Sequence, residues 1–259
     1  MKHGVGMQKT NDRNSRPLSP VLERVLKNAE LNEAAMQFLK DLDAFLRYVD
    51  VQAEIKLSKV NQTLPLKYML EVEQYFQKIF KPTRTPRQVY HLEVHFFMTT
   101  CRALAILRVD AGNYLTLTAY GKKFRQFPKW QQYGLILETF WERVLWESLM
   151  PQMTWHRRDR TQAEAPYLAE TLYNAPARQT FRYHEFWVIQ NHQGFQKLLN
   201  GSIKRLPVLD KSIYSEGVWV QKILPLLSYM GLLQIEVTFP TSRIEAAREP
   251  VIIHKLLIT

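Results

Sequence analysis

With one cysteine among 259 residues, Cys101, the chain has no internal disulfide to form. Cys101 lies in an apolar helical run, so a small buried side chain is expected there rather than a catalytic thiol. Glycine is scarce, nine in all, and none of the nine belongs to a G-x-x-x-x-G-K-[ST] or G-x-G-x-x-G loop of the kind that cradles phosphate. Nucleotide-dependent catalysis is therefore not expected, and the scattered carboxylates nominate no acid/base pair. No apolar run approaches the roughly 18 residues a spanning helix needs, and Met1 to Pro20 carries no apolar segment of secretory type. These absences predict a cytoplasmic, non-enzymatic protein with no membrane contact and no cofactor.

What is present is an ordinary globular balance, 46% aliphatic and aromatic residues against 23% charged, enough to bury a sizeable core. The net charge of +11 is unevenly spread. Residues 21–55 are net −3, whereas 56–125 hold twelve Lys/Arg against four acids, a block of +8. Cations concentrated in this way attract polyanions by counterion release and steering.

Residues 1–20 are polar, basic and punctuated by Gly, Ser and Pro, and read as a flexible arm. After Pro20, apolar residues at helical spacing predict two helices, the second with Met36, Leu39, Leu42, Phe45, Leu46 and Val49 on one stripe. Glu54 to Lys59 alternates like a half-buried strand. Thr63 and Pro65 then read as a cap and first turn of a helix over 66–80, and Thr85 and Pro86 repeat that signal ahead of an apolar-rich stretch over 89–107 that is long enough for a buried helix. Two short strand-forming runs flank Asp110-Ala-Gly-Asn113, where Gly112 and Asn113 accept the positive φ of a tight hairpin. Helical character resumes from Ala119 to Phe127.

Helix, strand, helix, helix, hairpin is the order of a winged-helix unit. The run from Leu104 to Gly121, with its hairpin, Leu117-Thr118 and closing Gly121, resembles the ending of many bacterial winged-helix domains. Lys56 to Lys67 and Tyr133 to Trp146 are in turn similar to a bacterial and plasmid-borne family of paired winged-helix proteins. That resemblance covers about residues 54–146 and implies a fold, with no particular chemistry attached.

Pro128 to Leu149 reads as a helix whose Trp130, Phe140, Trp141 and Trp146 fill a core, followed by a basic cluster, His156 to Arg160, and further helix from Phe181 to Leu199. In the last fifty residues a helical pattern over 217–233 is interrupted by Pro225, and a strand over 232–239 is expected to pair with Val251 to Thr259 as an enlarged wing. The expected architecture is mainly α with small β-hairpins. It comprises an arm (1–20), a winged-helix domain (21–127), a helical middle (128–200) and a second winged-helix unit (201–259) that lacks a closing helix.

His91 and His95 stand one helical turn apart and could offer two imidazoles to one ion, but no glutamate sits beside the first histidine as the zinc-protease signature requires. His184, Glu185 and His254 have no recognisable third partner.

A winged helix on DNA needs donors at the start of its long helix and around its wing. Lys81, Arg84, Arg87 and Gln88 occupy the first place. Arg108, Asn113, Lys122 and Lys123 surround the wing, and Lys56 and Lys59 add to the same face. The expected function is duplex DNA binding of low sequence specificity, with Arg84, Arg87 and Gln88 approaching base edges and the lysines holding phosphates. The alternatives are a basic surface with no partner, or a protein-interaction scaffold or homo-oligomer that docks through apolar residues such as Leu256, Leu257 and Ile258.

Overall fold

Ser19 and Asn32 each cap a helix. The computed structural model describes residues 17–52, 54–77, 82–144, 146–149, 180–182, 223–232 and 250–252. In it the Ser19 hydroxyl accepts from the Leu22 amide at 3.4 Å and opens α1 (Pro20–Lys27). Pro20 sits in the first turn, where its missing N–H costs nothing. Asn32 Oδ1 accepts from the Ala35 amide at 2.9 Å and opens α2 (Glu33–Val51). The predicted apolar stripe of α2 is buried from Leu39 to Val49, and Phe38 joins it.

There follow β1 (Ile55–Lys56), α3 (Leu66–Glu73), a 3-10 turn (Gln88–Tyr90), α4 (Leu92–Ala103), β2 (Leu107–Val109), β3 (Tyr114–Leu117), α5 (Ala119–Phe124), α6 (Lys129–Glu142) and a second 3-10 turn (Trp146–Leu149). The strands form an antiparallel sheet in the order β1-β3-β2. The described chain is thus mainly helical with a small three-stranded antiparallel sheet.

Several expected boundaries move, each for a local reason. The third helix ends at Glu73 instead of reaching residue 80, because the Gln77 amide donates to Asp41 Oδ1 on α2 at 3.1 Å. Thr63 does not cap it. Pro65 holds that position, and the Thr63 hydroxyl pairs with Ser58 at 2.9 Å. The long helix begins at Leu92 rather than behind Pro86, because the Thr85 carbonyl is engaged by His91. It stops at Ala103, after which Ala105 turns left-handed with φ +57. In the hairpin only Asn113 takes a positive φ, +64. Gly112 is needed for space: a Cβ there would lie 2.8 Å from Tyr114 Cδ2.

One apolar cluster runs from Leu18 to Met230. Phe38 lies at its centre, ringed by Phe96, Phe97, Tyr133 and Tyr229 with centroids 5.2 to 6.5 Å away. As expected from their spacing, Phe140 and Trp146 fill the core, stacked at 5.0 Å.

Helix α7 (Leu224–Tyr229) feeds the same cluster: Ile223, Leu226, Leu227, Tyr229 and Met230 are all buried. Pro225 falls in its first turn, where a proline is accommodated, and the part of the expected helical pattern before it, 217–222, lies outside the described residues. Its end is fixed by three hydrogen bonds: Asn32 Nδ2 to the Gly231 carbonyl, Tyr133 hydroxyl to the Met230 carbonyl and Tyr229 hydroxyl to Asp41 Oδ2, each 2.8 Å. Asp41 is 1% exposed, yet its oxygens accept from Gln37, Gln77 and Tyr229, so the buried carboxylate is satisfied.

A second sheet pairs β4 (Thr180–Arg182) with β5 (Pro250–Ile252), antiparallel, Phe181 opposite Val251. One expectation changes here. Phe181 lies in a strand instead of opening a helix, and Val251 pairs with Phe181; the expected pairing with 232–239 falls outside the described residues. The arm expected over 1–20 is not free at its end, where Leu18 is buried and the Ser19 amide donates to Glu138 Oε1 at 3.1 Å; residues 1–16, most of 150–222 and residues 233–249 and 253–259 lie outside the described residues.

Candidate nucleic-acid interface

Strand register decides which side chains share a face, since residues directly opposite one another point the same way and neighbours alternate. Ile55 pairs with Leu115, Leu107 with Leu117 and Val109 with Leu115, which puts the apolar set on the inner face. Lys56 pairs with Tyr114 and Arg108 with Thr116. Those four therefore form the outer face, a hydroxyl and a phenol between two cations. Lys56 Nζ lies 5.3 Å from the Tyr114 ring centroid, and Arg108 Nε donates to Thr116 Oγ1 at 3.2 Å. Both cations are exposed. Their strands lie two inter-strand spacings apart, roughly 10 Å.

The chain leaves β1 at this face and enters the turn 58–63, which is closed by Ser58 N to Thr63 O at 2.9 Å and Gln62 N to Ser58 O at 3.0 Å. Lys59 is exposed in that turn. Gln62, with φ +49, receives Arg102 Nη2 at 2.7 Å, so a cation from the end of α4 joins the turn. Asn113 lies at the hairpin end of β3, its carbonyl accepting from Leu57 N at 2.8 Å.

The other nominated residues divide. Arg84 and Arg87 are exposed in the connection before α4, and Lys81 lies outside the described residues. Gln88 does not reach the surface: it is 4% exposed. Its Oε1 accepts from Leu64 N at 2.6 Å and its Nε2 reaches His95 Nδ1 at 3.0 Å. An amide engaged on both sides inside the body cannot approach a base edge, so Gln88 is a core residue and not the expected base contact. Lys122 is exposed but stands 3.7 Å from Asp50 Oδ1 on α2. The neighbouring Arg125 bonds Asp43 at 3.2 Å and Asp50 at 3.1 Å, so α5 faces an acidic partner. Lys123 is exposed in the same turn.

Helix α4 cannot serve as a groove reader. Eight of its twelve residues are buried, and of the rest only Arg102 is exposed. The two histidines explain part of this. The Leu64 amide fixes the Gln88 carboxamide, so His95 Nδ1 accepts and its Nε2 donates to the Ser148 carbonyl at 2.6 Å. His91, 1% exposed, donates from Nε2 to the Thr85 carbonyl at 2.8 Å, and one proton lies between its Nδ1 and Glu73 Oε1, 2.7 Å apart. Both nitrogens of both rings are taken by protein groups, so the pair has no lone pair to offer an ion. Among the described residues no three His, Cys, Asp or Glu side chains gather as a metal site. Cys101 is wholly buried, and burial pushes its thiol well above the ordinary range.

No family model, curated protein or solved structure matches this chain. Among the described residues no helix is long and apolar enough to cross a membrane. His156 to Arg160, His184, Glu185, His254 and Leu256 to Ile258 lie outside the described residues.

The residues missed in the sequence are Tyr114, Thr116 and Arg102. The alternation Tyr114-Leu-Thr-Leu117 carried the signal for the first two, because it sets Tyr114 and Thr116 on the side opposite the leucines.

Proposed function

We propose that the protein binds nucleic acid by its phosphates, through the outer face of the three-stranded sheet and the turn that follows β1, without reading sequence. The observation that carries this reading is the register that sets Lys56 and Arg108 on one exposed face. Lys59 and Arg102 extend that face along the 58–63 turn, and Arg84 and Arg87 add exposed charge on the nearby connection. Among the described residues none of Lys56, Lys59, Arg84, Arg87 and Arg108 is ion-paired with a carboxylate, whereas Lys122 and Arg125 are. Cations left without an anion are the ones a polyanion can use.

A winged-helix architecture for residues 21–127 fits the element order, and β1 adds to the hairpin edge as that architecture requires. The buried α4 makes it a variant in which the long helix packs the core while the wing face meets the ligand. Base-edge readout needs side chains in a groove, and none is available from α4. Contacts to phosphate alone give affinity that is steep in salt and indifferent to sequence.

Mobility-shift titrations against mixed-sequence DNA at two salt concentrations test this. Four phosphate contacts predict about a 100-fold loss of duplex affinity between 50 and 200 mM salt, and similar binding to unrelated sequences. A protein that retards no nucleic acid at low salt overturns the reading.

A further inference from the structure

Resting on that reading, we infer that the ligand of the sheet face is single-stranded nucleic acid, one base stacked on Tyr114 while Lys56 and Arg108 hold the phosphates to either side. Tyr114 is the central side chain of the outer face, opposite Lys56 on one strand and two residues from Thr116, which faces Arg108 on the other. Its ring is pre-set. Asp110 Oδ1 accepts from both the Gly112 and Tyr114 amides at 2.9 Å, fixing the backbone where β3 begins. Gly112 leaves the ring its place, since a Cβ would fall 2.8 and 2.9 Å from Tyr114 Cδ2 and Cε2.

Lys56 Nζ covers the ring in the free protein, 5.3 Å from the centroid. A lysine on a flexible stem leaves a half-buried ring readily when a phosphate offers a full charge, and the uncovered face is then open to a base. Arg108 stays put, held by Thr116. An unpaired base has a free π-face for this purpose, whereas the bases of a duplex are stacked on one another and present only edges. With α4 buried, no helix among the described residues 82–124 is set to read those edges, so the stacking platform favours the single strand.

The test uses the full chain and three labelled probes of about 12 nucleotides: oligo(dT), an oligomer of the same length and charge made of abasic sites, and a duplex. Fluorescence anisotropy should show oligo(dT) binding about 5-fold or more tightly than the abasic oligomer and the duplex. Tyr114→Leu should bring oligo(dT) down to that variant's own abasic value, Gly112→Ala should do the same by displacing the ring, and Tyr114→Phe should keep the preference. Equal affinity of the unaltered protein for oligo(dT) and the abasic oligomer overturns the stacking inference and leaves phosphate binding standing. No binding to any probe at low salt overturns both.

Discussion

Asn32 holds Gly231 at 2.8 Å through its Nδ2 while its Oδ1 caps α2 from the other side. One side chain thus closes the start of α2 and the end of α7, 199 residues apart in the sequence. Gly231 has φ +79, and a Cβ there would lie 2.5 Å from Asn32 Oδ1 and 2.8 Å from the Ala35 amide nitrogen. Gly231→Ala therefore incurs left-handed strain and dislodges the cap, a loss of about 2 kcal/mol or more. Asn32→Ala should cost about 1 kcal/mol through the cap alone. In the double variant the two costs should fall short of additive, measured by urea denaturation, because they damage the same contact. Full additivity would show the two residues to be independent.

The junction between hairpin and α5 makes a second prediction. Thr118 Oγ1 donates to the Ala105 carbonyl at 2.7 Å and accepts from the Gly121 amide at 2.9 Å. A Cβ at Gly121 would run into the Ile106 carbonyl oxygen and come within 2.7 Å of Leu117 Cδ1. Gly121→Ala should destabilise by about 2 kcal/mol, a backbone contact having little room to yield, and Thr118→Ala by about 1 kcal/mol. Ala105→Gly works the other way. Relief of its left-handed backbone should raise stability by about 1 kcal/mol, and a lowered melting temperature in that variant would contradict the account.

Elements whose signal is local were legible before the fold was known. The hairpin over 107–117 and the stripe on α2 each depend on residues a few positions apart. What escaped depends on distant partners. Gln88 looks like an exposed donor until Leu64 and His95 enclose it, and Lys122 looks like a phosphate contact until Asp50 stands beside it. That the apolar-rich stretch over 89–107 makes a buried helix was legible in the sequence, whereas the elements that pack on it, α6 and the 146–149 turn, cannot be inferred from the helix's own pattern. The pairing of Phe181 with Val251 is likewise a long-range choice.

Alkaline pH should unfold the protein in a particular order. Burial first of all raises the phenols of Tyr133 and Tyr229 well above the ordinary tyrosine value, and for Tyr229 the charge of Asp41 and the hydrogen bond to it add to the rise. In the unfolded chain these groups ionise near pH 10. Their contribution is present in full below that pH and is lost as pH climbs towards the folded values, because the unfolded state then binds fewer protons. Each phenol adds a slope of about 1.4 kcal/mol per pH unit above pH 10, and the buried Cys101 thiol, raised likewise by burial, begins its loss about one unit lower. Tyrosinate absorbance recorded beside helical circular dichroism checks this: part of the absorbance rise should wait for the helices to melt. Ionisation of all 12 tyrosines with the helical signal intact would refute it.

The His91 clasp is structural and its loss should be expensive. The ring is wholly buried and Glu73 is 8% exposed, so His91→Leu leaves a carboxyl group with no partner inside the body. A loss of about 3 kcal/mol or more is expected. Glu73→Gln keeps an acceptor for the ring and should cost less, by chemical denaturation. Because the clasp ties the Thr85 carbonyl to α4's first turn, His91→Leu should also speed proteolysis within 82–90, while the sheet face is untouched.

Charge removal separates cations that a polyanion can use from those already neutralised. Lys56 and Arg108 have no carboxylate partner among the described residues, whereas Lys122, its side chain 64% exposed, lies 3.7 Å from Asp50. Each phosphate contact contributes a slope of about 0.9 in a plot of log affinity against log salt. The pair Lys56→Gln and Arg108→Gln should therefore flatten the duplex slope by nearly two, and Lys122→Gln should leave it within a few tenths. Exposure alone would rank the three residues together, so an equal effect at Lys122 would mean that binding follows net charge and not the face set by the strand register. A flattening confined to Lys56 and Arg108 requires the register itself, since two residues 52 positions apart in the sequence share a ligand only if β3 lies between them.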